Sequence, residues 1–290
     1  MNKKINILGM PLAIISISAF SAEVNVSRVT ESDTAVLSLL NQTVDRIVDS
    51  YGHAYIKIVS LDNFQKNDVE RGVKRIADKS IARFEYQYIA PNGESITRVY
   101  HSFSGETPTP KLEGYPVDFR QKIEAEMREN ERLVTGKITK EEYNSSGRYF
   151  RASNFDRAND AEIKALRRIE RDIMSNELPT GGNLTVFVNQ LPCESCRPLF
   201  EEQLAAWPHI AKADVSYLGQ IPQNFKDPNT NDWYQYMRDH EGLAVGDEAK
   251  LQVKFTTYRK TRTKYSYFKK HLFEQYNIEN GTAPATGCAL

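Results

Sequence analysis

Apolar positions recur at helical spacing over residues 32–50, with Val36, Leu39, Leu40, Val44 and Ile47 in phase, and Gly52 ends that run. Residues 54–61 read as a strand and residues 68–81 as a second, more charged helix. Two alternating segments, 82–90 and 95–103, flank Pro91-Asn92-Gly93 and predict a hairpin, with Phe84, Tyr86 and Tyr88 on one side. Residues 104–116, rich in Gly, Pro and Thr, read as a loop. A charged helix follows over 117–134, with a thin stripe of Phe119, Ile123 and Met127; its charge reads as a solvated face. Residues 140–160 are irregular, apart from a short strand at 148–152.

The next stretch is the most regular. Residues 161–174 predict a helix, 184–191 a strand buried on both faces, 193–207 a helix opened by Pro192, and 210–218 a strand. Residues 219–248 form a long insertion holding Trp233, Tyr234 and Tyr236, and 251–257 alternate as a last strand through Leu251, Val253 and Phe255. Helices alternating with strands imply an α/β fold, a sheet covered by helices. Residues 23–80 form either a small N-terminal α/β segment or part of the main layer, and residues 273–290 a loose tail.

Composition changes this picture in two places. The formal net charge of zero gives no bulk argument for nucleic-acid binding, so any such argument rests on local clusters. At the N-terminus, Lys3 and Lys4 precede an uncharged, mostly apolar run over 5–20, and Ala19-Phe20-Ser21 offers small residues for cleavage near Ser21 or Ala22. The expectation is a signal peptide over 1–22 and a secreted mature protein, in the periplasm or outside the cell, without a membrane anchor. The three cysteines, Cys193, Cys196 and Cys288, are too few for a disulfide framework. Cys288 has only two residues after it, one short of a prenylation signal.

The candidate chemistry lies at two helix starts. Cys193, Cys196, Phe200, Leu204 and Trp207 fall within roughly an 80° arc on a helix, which puts both thiols on the buried face at the N-terminus. Free N–H groups and the helix dipole favour thiolate there, and paired thiolates suit zinc. On the preceding helix, Glu162, Leu166, Ile169 and Ile173 share one stripe, so Glu162 is aimed at the core. A carboxylate so placed needs a partner or a raised pKa, the environment of a general acid/base. A plainer alternative has Asn159 capping this helix and Glu162 closing a capping box.

Asp160-Ala161-Glu162 followed by Pro192-Cys193-Glu194-Ser195-Cys196 resembles the zinc-dependent cytidine deaminase superfamily, in its bacterial toxin and effector branch, with Asp where His is usual. The resemblance covers residues 81–257 and implies a deaminase-like three-layer sandwich with a mixed central sheet. It implies zinc held by Asp160, Cys193 and Cys196, and Glu162 moving the proton as water attacks the ring carbon that bears the amino group. The implied substrate is cytosine or adenine in nucleic acid or a nucleotide, with a cognate immunity or delivery protein as a further partner. Asp160 departs from the pattern: it makes the site one charge more negative, which acidifies bound water less.

Two other readings stand beside it. Cys193-x-x-Cys196 at a helix start after a strand also fits a periplasmic thiol–disulfide redox protein, although Glu194 between the thiols opposes a low thiol pKa. A non-catalytic binding protein on a decayed deaminase fold is the other. Of the five histidines, His53, His101, His209, His240 and His271, none makes a metal-ligand pair at helical spacing; His101, on the hairpin, is the replacement ligand to test, and His209 reads as structural. After the last strand, Arg259, Lys260, Arg262 and Lys264 interleave with Tyr265 and Tyr267, and no acid occurs from Lys250 to Phe273. Cations for phosphate and aromatic faces for bases suit single-stranded nucleic acid, and a solvated amphipathic edge is the plain alternative. No Gly-rich phosphate loop, Gly-x-Ser-x-Gly or His-Glu-x-x-His occurs.

Overall fold

The computed structural model describes residues 22–30, 33–59, 66–109, 118–130, 133–145, 147–192, 196–219 and 247–264. The signal peptide expected over 1–22, apart from Ala22, most of the insertion and the C-terminal tail lie outside the described residues. The strands are β1 (Glu23–Arg28), β2 (Ile81–Ile89), β3 (Ser95–Phe103), β4 (Leu133–Val134), β5 (Gly182–Val188) and β6 (Ile210–Tyr217). The helices are α1 (Thr34–Val59), α2 (Lys66–Ala77), α3 (Phe119–Asn130), α4 (Lys140–Asn144), α5 (Ala161–Met174), α6 (Leu199–Leu204) and α7 (Asp247–Arg262). The six strands form one mixed sheet in the order β1-β6-β5-β2-β3-β4. β1, β6 and β5 run parallel, β2 is antiparallel to both β5 and β3, and β4 is parallel to β3.

Helices cover both faces, so the fold is a three-layer α/β sandwich. On one face α5 and α6 pack on alternate strand residues: Phe84 and Tyr86, Tyr100, Leu184 and Val186, and Val215. On the other, α1, α2, α3 and α7 cover Ile81, Phe103 and Phe187. Each such buried side chain contributes roughly 1.5–3 kcal/mol. Residues 23–80 join this sandwich: β1 is an edge strand of the same sheet, and α1 packs on β2 and β5. No helix among the described residues is long and apolar enough to cross a membrane.

The hairpin, α5 and β6 lie where the pattern places them, and Gly93, at φ +85°, supplies the hairpin turn. Several elements differ. α1 runs through Gly52 and takes up residues expected as a strand over 54–61; Tyr51, Ala54 and Tyr55 are fully buried, which outweighs the roughly 1 kcal/mol cost of an interior glycine. α2 ends at Ala77, and the charged helix ends at Asn130, leaving Leu133–Val134 to pair as β4. Residues 148–152 form no strand, because side chains take their amides: Glu170 accepts from Tyr149 and Phe150, and Gln203 from Arg151. α6 winds as a π-helix, yet Cys196, Phe200, Leu204 and Trp207 remain buried. Residues 251–257 belong to α7: Leu251 and Phe255, four apart, are buried, whereas Val253 is 63% exposed.

Candidate functional site

α5 is entered through a 3₁₀ turn, Asp156–Asn159, and Asp160 is its N-cap in extended backbone (φ −65°, ψ 148°). An N-cap carboxylate ordinarily accepts from the second or third helical N–H. Asp160 makes no such bond. Its Oδ2 lies 3.8 Å from the Cys196 Sγ and 3.8 Å from Arg157 Nη1. The capping alternative fails on this geometry. Asn159 stands one residue before the cap; its Oδ1 accepts from the Ile138 N–H at 2.8 Å and its carbonyl accepts from Gly105 at 2.7 Å. Glu162 is therefore not three residues beyond a capping side chain.

Glu162 is 5% exposed, in the first turn of α5, and Cys196 is 3% exposed ahead of α6. The structure thus brings Asp160 and Cys196 together across 36 residues of sequence, with Glu162 buried two residues beyond Asp160. Cys193 lies outside the described residues. Among the described residues no three His, Cys, Asp or Glu side chains converge as a metal-binding group. The donor pair fits the geometry of a tetrahedral ion: Zn–S near 2.3 Å and Zn–O near 2.0–2.2 Å set such donors roughly 3.5–3.7 Å apart, against the 3.8 Å observed.

His101 cannot complete this site. It shares the α1 face of the sheet with Phe103, and its Nδ1 meets Thr43 Oγ1 there at 3.1 Å, whereas α5 packs on the opposite face. Burial, reinforced by Arg83 and Arg46, lowers its pKa to about 3, so the ring stays neutral. His209 packs its ring edge-on to Trp207, as a structural residue would.

The basic tract is only partly available to a ligand. The Arg259 guanidinium is buried over the Phe255 ring, donates to the Lys79 carbonyl at 3.2 Å, and has its pKa lowered to about 10 by burial. Arg262 lies over Tyr258 and pairs with Asp45 at 2.7 Å. Lys260 and Lys264 are exposed, and Tyr265 and Tyr267 lie outside the described residues. The alternation that suggested a terminal strand hid this: on a helix, Arg259 falls on the same side as Phe255.

Two further buried polar residues carry no sequence signal or a weak one. Lys164 donates to the carbonyls of Phe103 (3.0 Å) and Gly105 (2.9 Å), and burial, with Lys79 adding repulsion, lowers its pKa to about 7. It points away from the apolar stripe and is buried because the chain after β3 folds over it, with Gly105 at φ +71°. Asn189, just after β5, accepts from the Ile81 N–H at 2.7 Å, and its buried Nδ2 has no hydrogen-bond partner among the described residues. Its signal was a polar residue within an apolar run. No family model, curated protein or solved structure matches this chain.

Proposed function

We infer that the chain is an exported zinc-dependent deaminase of cytosine or adenine, acting on nucleic acid or nucleotides as a toxin or effector. The observation that carries this reading is the Asp160–Cys196 pair: two potential zinc donors, remote in sequence, meet at a distance that suits one ion, at the start of the helix that buries Glu162. In this reading Asp160, Cys193 and Cys196 hold the metal. Zinc bound there supplies a Lewis acid that makes water nucleophilic at neutral pH. Glu162, shielded from solvent, would take one proton from water and give it to the ring nitrogen as the hydroxyl adds to the carbon, then pass the hydroxyl's proton to the amino group, which leaves as ammonia as the C–N bond breaks and the carbonyl forms.

Arg157 answers the charge problem that Asp160 raises. Two thiolates and a carboxylate leave zinc with a net charge of minus one, and the Arg157 guanidinium beside Asp160 returns the cluster to zero. The pair is partly exposed, so solvent screens this compensation. With Arg259 and Arg262 engaged internally, the basic tract adds little preference for a polynucleotide over a free nucleotide.

The test is ammonia release from cytidine, adenosine, their monophosphates and single-stranded oligonucleotides, with zinc-loaded protein. We expect turnover of at least one substrate, lowered about 10²–10⁴-fold in Glu162→Gln without loss of zinc. Full activity in Glu162→Gln would remove the proton-transfer role. No turnover of any substrate, together with a reversible Cys193–Cys196 disulfide, would replace the reading with the redox one.

A further inference from the structure

Ala22 is tied into the fold. Its N–H donates to the Ala205 carbonyl at 2.8 Å. It is 6% exposed and belongs to the core under α5 and α6. Ala205 is the C-cap of α6, at the end where helix carbonyls lack partners from the helix itself. From Glu23 the chain is committed to the sheet. Glu23–Arg28 pair in parallel with Lys212–Tyr217 without a break, and Val29 donates to the Tyr217 carbonyl at 2.9 Å.

The two cuts the sequence offers, after Ser21 and after Ala22, differ in what they leave. A cut after Ala22 removes the buried methyl and the donor to Ala205. A cut after Ser21 keeps both. Water adds across the Ser21–Ala22 amide, Ser21 leaves as a carboxylate, and the Ala22 nitrogen becomes an ammonium that still donates. A cation also suits the carbonyl end of a helix. The sequence agrees, since a signal peptidase reads small side chains one and three residues before the cut. Ser21 and Ala19 hold those places for the first cut, whereas the second puts Phe20 at the farther one. Ser16 and Ser18 suit a cut after Ser18, but that bond falls inside the apolar run, which extends to Phe20.

The geometry also sets an order. A peptidase needs the backbone on both sides of the bond it cuts. In the folded protein Ala22 is bonded to the end of α6 and Glu23 is paired with β6, so the residues after the bond are already engaged. We propose that a signal peptidase cuts the Ser21–Ala22 bond before β1 docks on β6, and that the new Ala22 ammonium then holds the end of α6 through the Ala205 carbonyl. The last residue removed is thus Ser21, one before the expected boundary at Ala22. The proposal rests on the export part of the proposed function and is independent of zinc and of deamination.

The test expresses the full chain in a Gram-negative host and measures the intact mass of the product. We expect a chain that begins at Ala22. A chain that begins at Glu23 or at Ala19 overturns the proposal and leaves export standing, whereas a chain that keeps its first residues overturns both. The order is checked with purified signal peptidase, offered the full chain either freshly diluted from urea or after refolding. Cleavage should be at least about tenfold slower after refolding, since β1 must first open; equal rates overturn the order. The role of Ala22 is checked on two mature chains released from a fusion, one beginning at Ala22 and one at Glu23. The second should melt about 2–4 °C lower, and equal midpoints overturn that role.

Discussion

The two faces of the sheet bury polar groups in opposite ways. Under α1 the core runs from Val44 and Tyr51 to Met127 and Phe255, and its buried polar groups are scattered over separate elements: His101 meets Thr43, and Asp68, Arg83 and Arg259 lie on α2, β2 and α7. Under α5 one helix buries five charged residues: Glu162, Lys164, Arg167, Glu170 and Asp172. Four of these are tied to structural partners. Lys164 and Arg167 donate to backbone carbonyls, Glu170 accepts from backbone amides, and Asp172 accepts from Tyr100 and Arg168. A buried charge alone is thus a poor mark of a site in this protein. Glu162 differs in its place at the helix start, two residues beyond Asp160, whose carboxylate lies against Cys196.

The comparison breaks first at Asp172. It is fully buried and accepts from the Tyr100 hydroxyl at 2.7 Å and Arg168 at 2.9 Å. Asp172→Ala leaves these donors unsatisfied and should cost about 3–5 kcal/mol in urea unfolding. A cost below about 1 kcal/mol would mean that the polar layer under α5 does not hold the fold.

The two faces should also separate by pH. Lys164 has its folded pKa lowered to about 7 from 10.5, so the unfolded chain binds more protons between these values. Its contribution to stability is complete above pH 10.5 and is lost as pH falls toward 7. His101, lowered to about 3 from 6.5, acts in a lower window: its contribution is complete above pH 6.5 and is lost as pH falls toward 3. Lys164→Met should flatten the pH dependence of stability in the upper window and His101→Gln in the lower, each by on the order of a few kcal/mol. Denaturation midpoints across pH check both; no change in slope in either variant would refute the assignment.

The smallest expected effect is at Arg157. Arg157→Gln should change stability by less than about 1 kcal/mol, since the pair is partly exposed. It should move the rising limb of the activity–pH profile to higher pH, because the site becomes more negative and its water less acidic. An unmoved profile would sever Arg157 from the chemistry.

Much of this was legible in the chain. Strict period-two patterning around Pro91-Asn92-Gly93 specified the hairpin, and the 162-166-169-173 stripe specified α5 and its inward carboxylate. The errors came where short apolar runs fit two periods. Leu251, Val253 and Phe255 suit a strand, yet Leu251 and Phe255 also suit a helix, and packing against α1 decides. Gly52 looked like a stop because local propensity says nothing of the buried Tyr51 and Tyr55 around it. The burial of Lys164 was illegible for another reason: it depends on how a loop remote in sequence folds over α5.

The central claim is that Asp160 and Cys196 are zinc donors rather than a thiol–carboxylate hydrogen-bonded pair, which the same 3.8 Å would also serve. The most direct measurement is the zinc content of the purified protein, with Cys196→Ala and Asp160→Ala beside it, each checked for retained fold by circular dichroism. The account predicts about one zinc per chain in the parent protein and a marked loss in both folded variants. No zinc in the parent protein, or unchanged zinc in both variants, would contradict it.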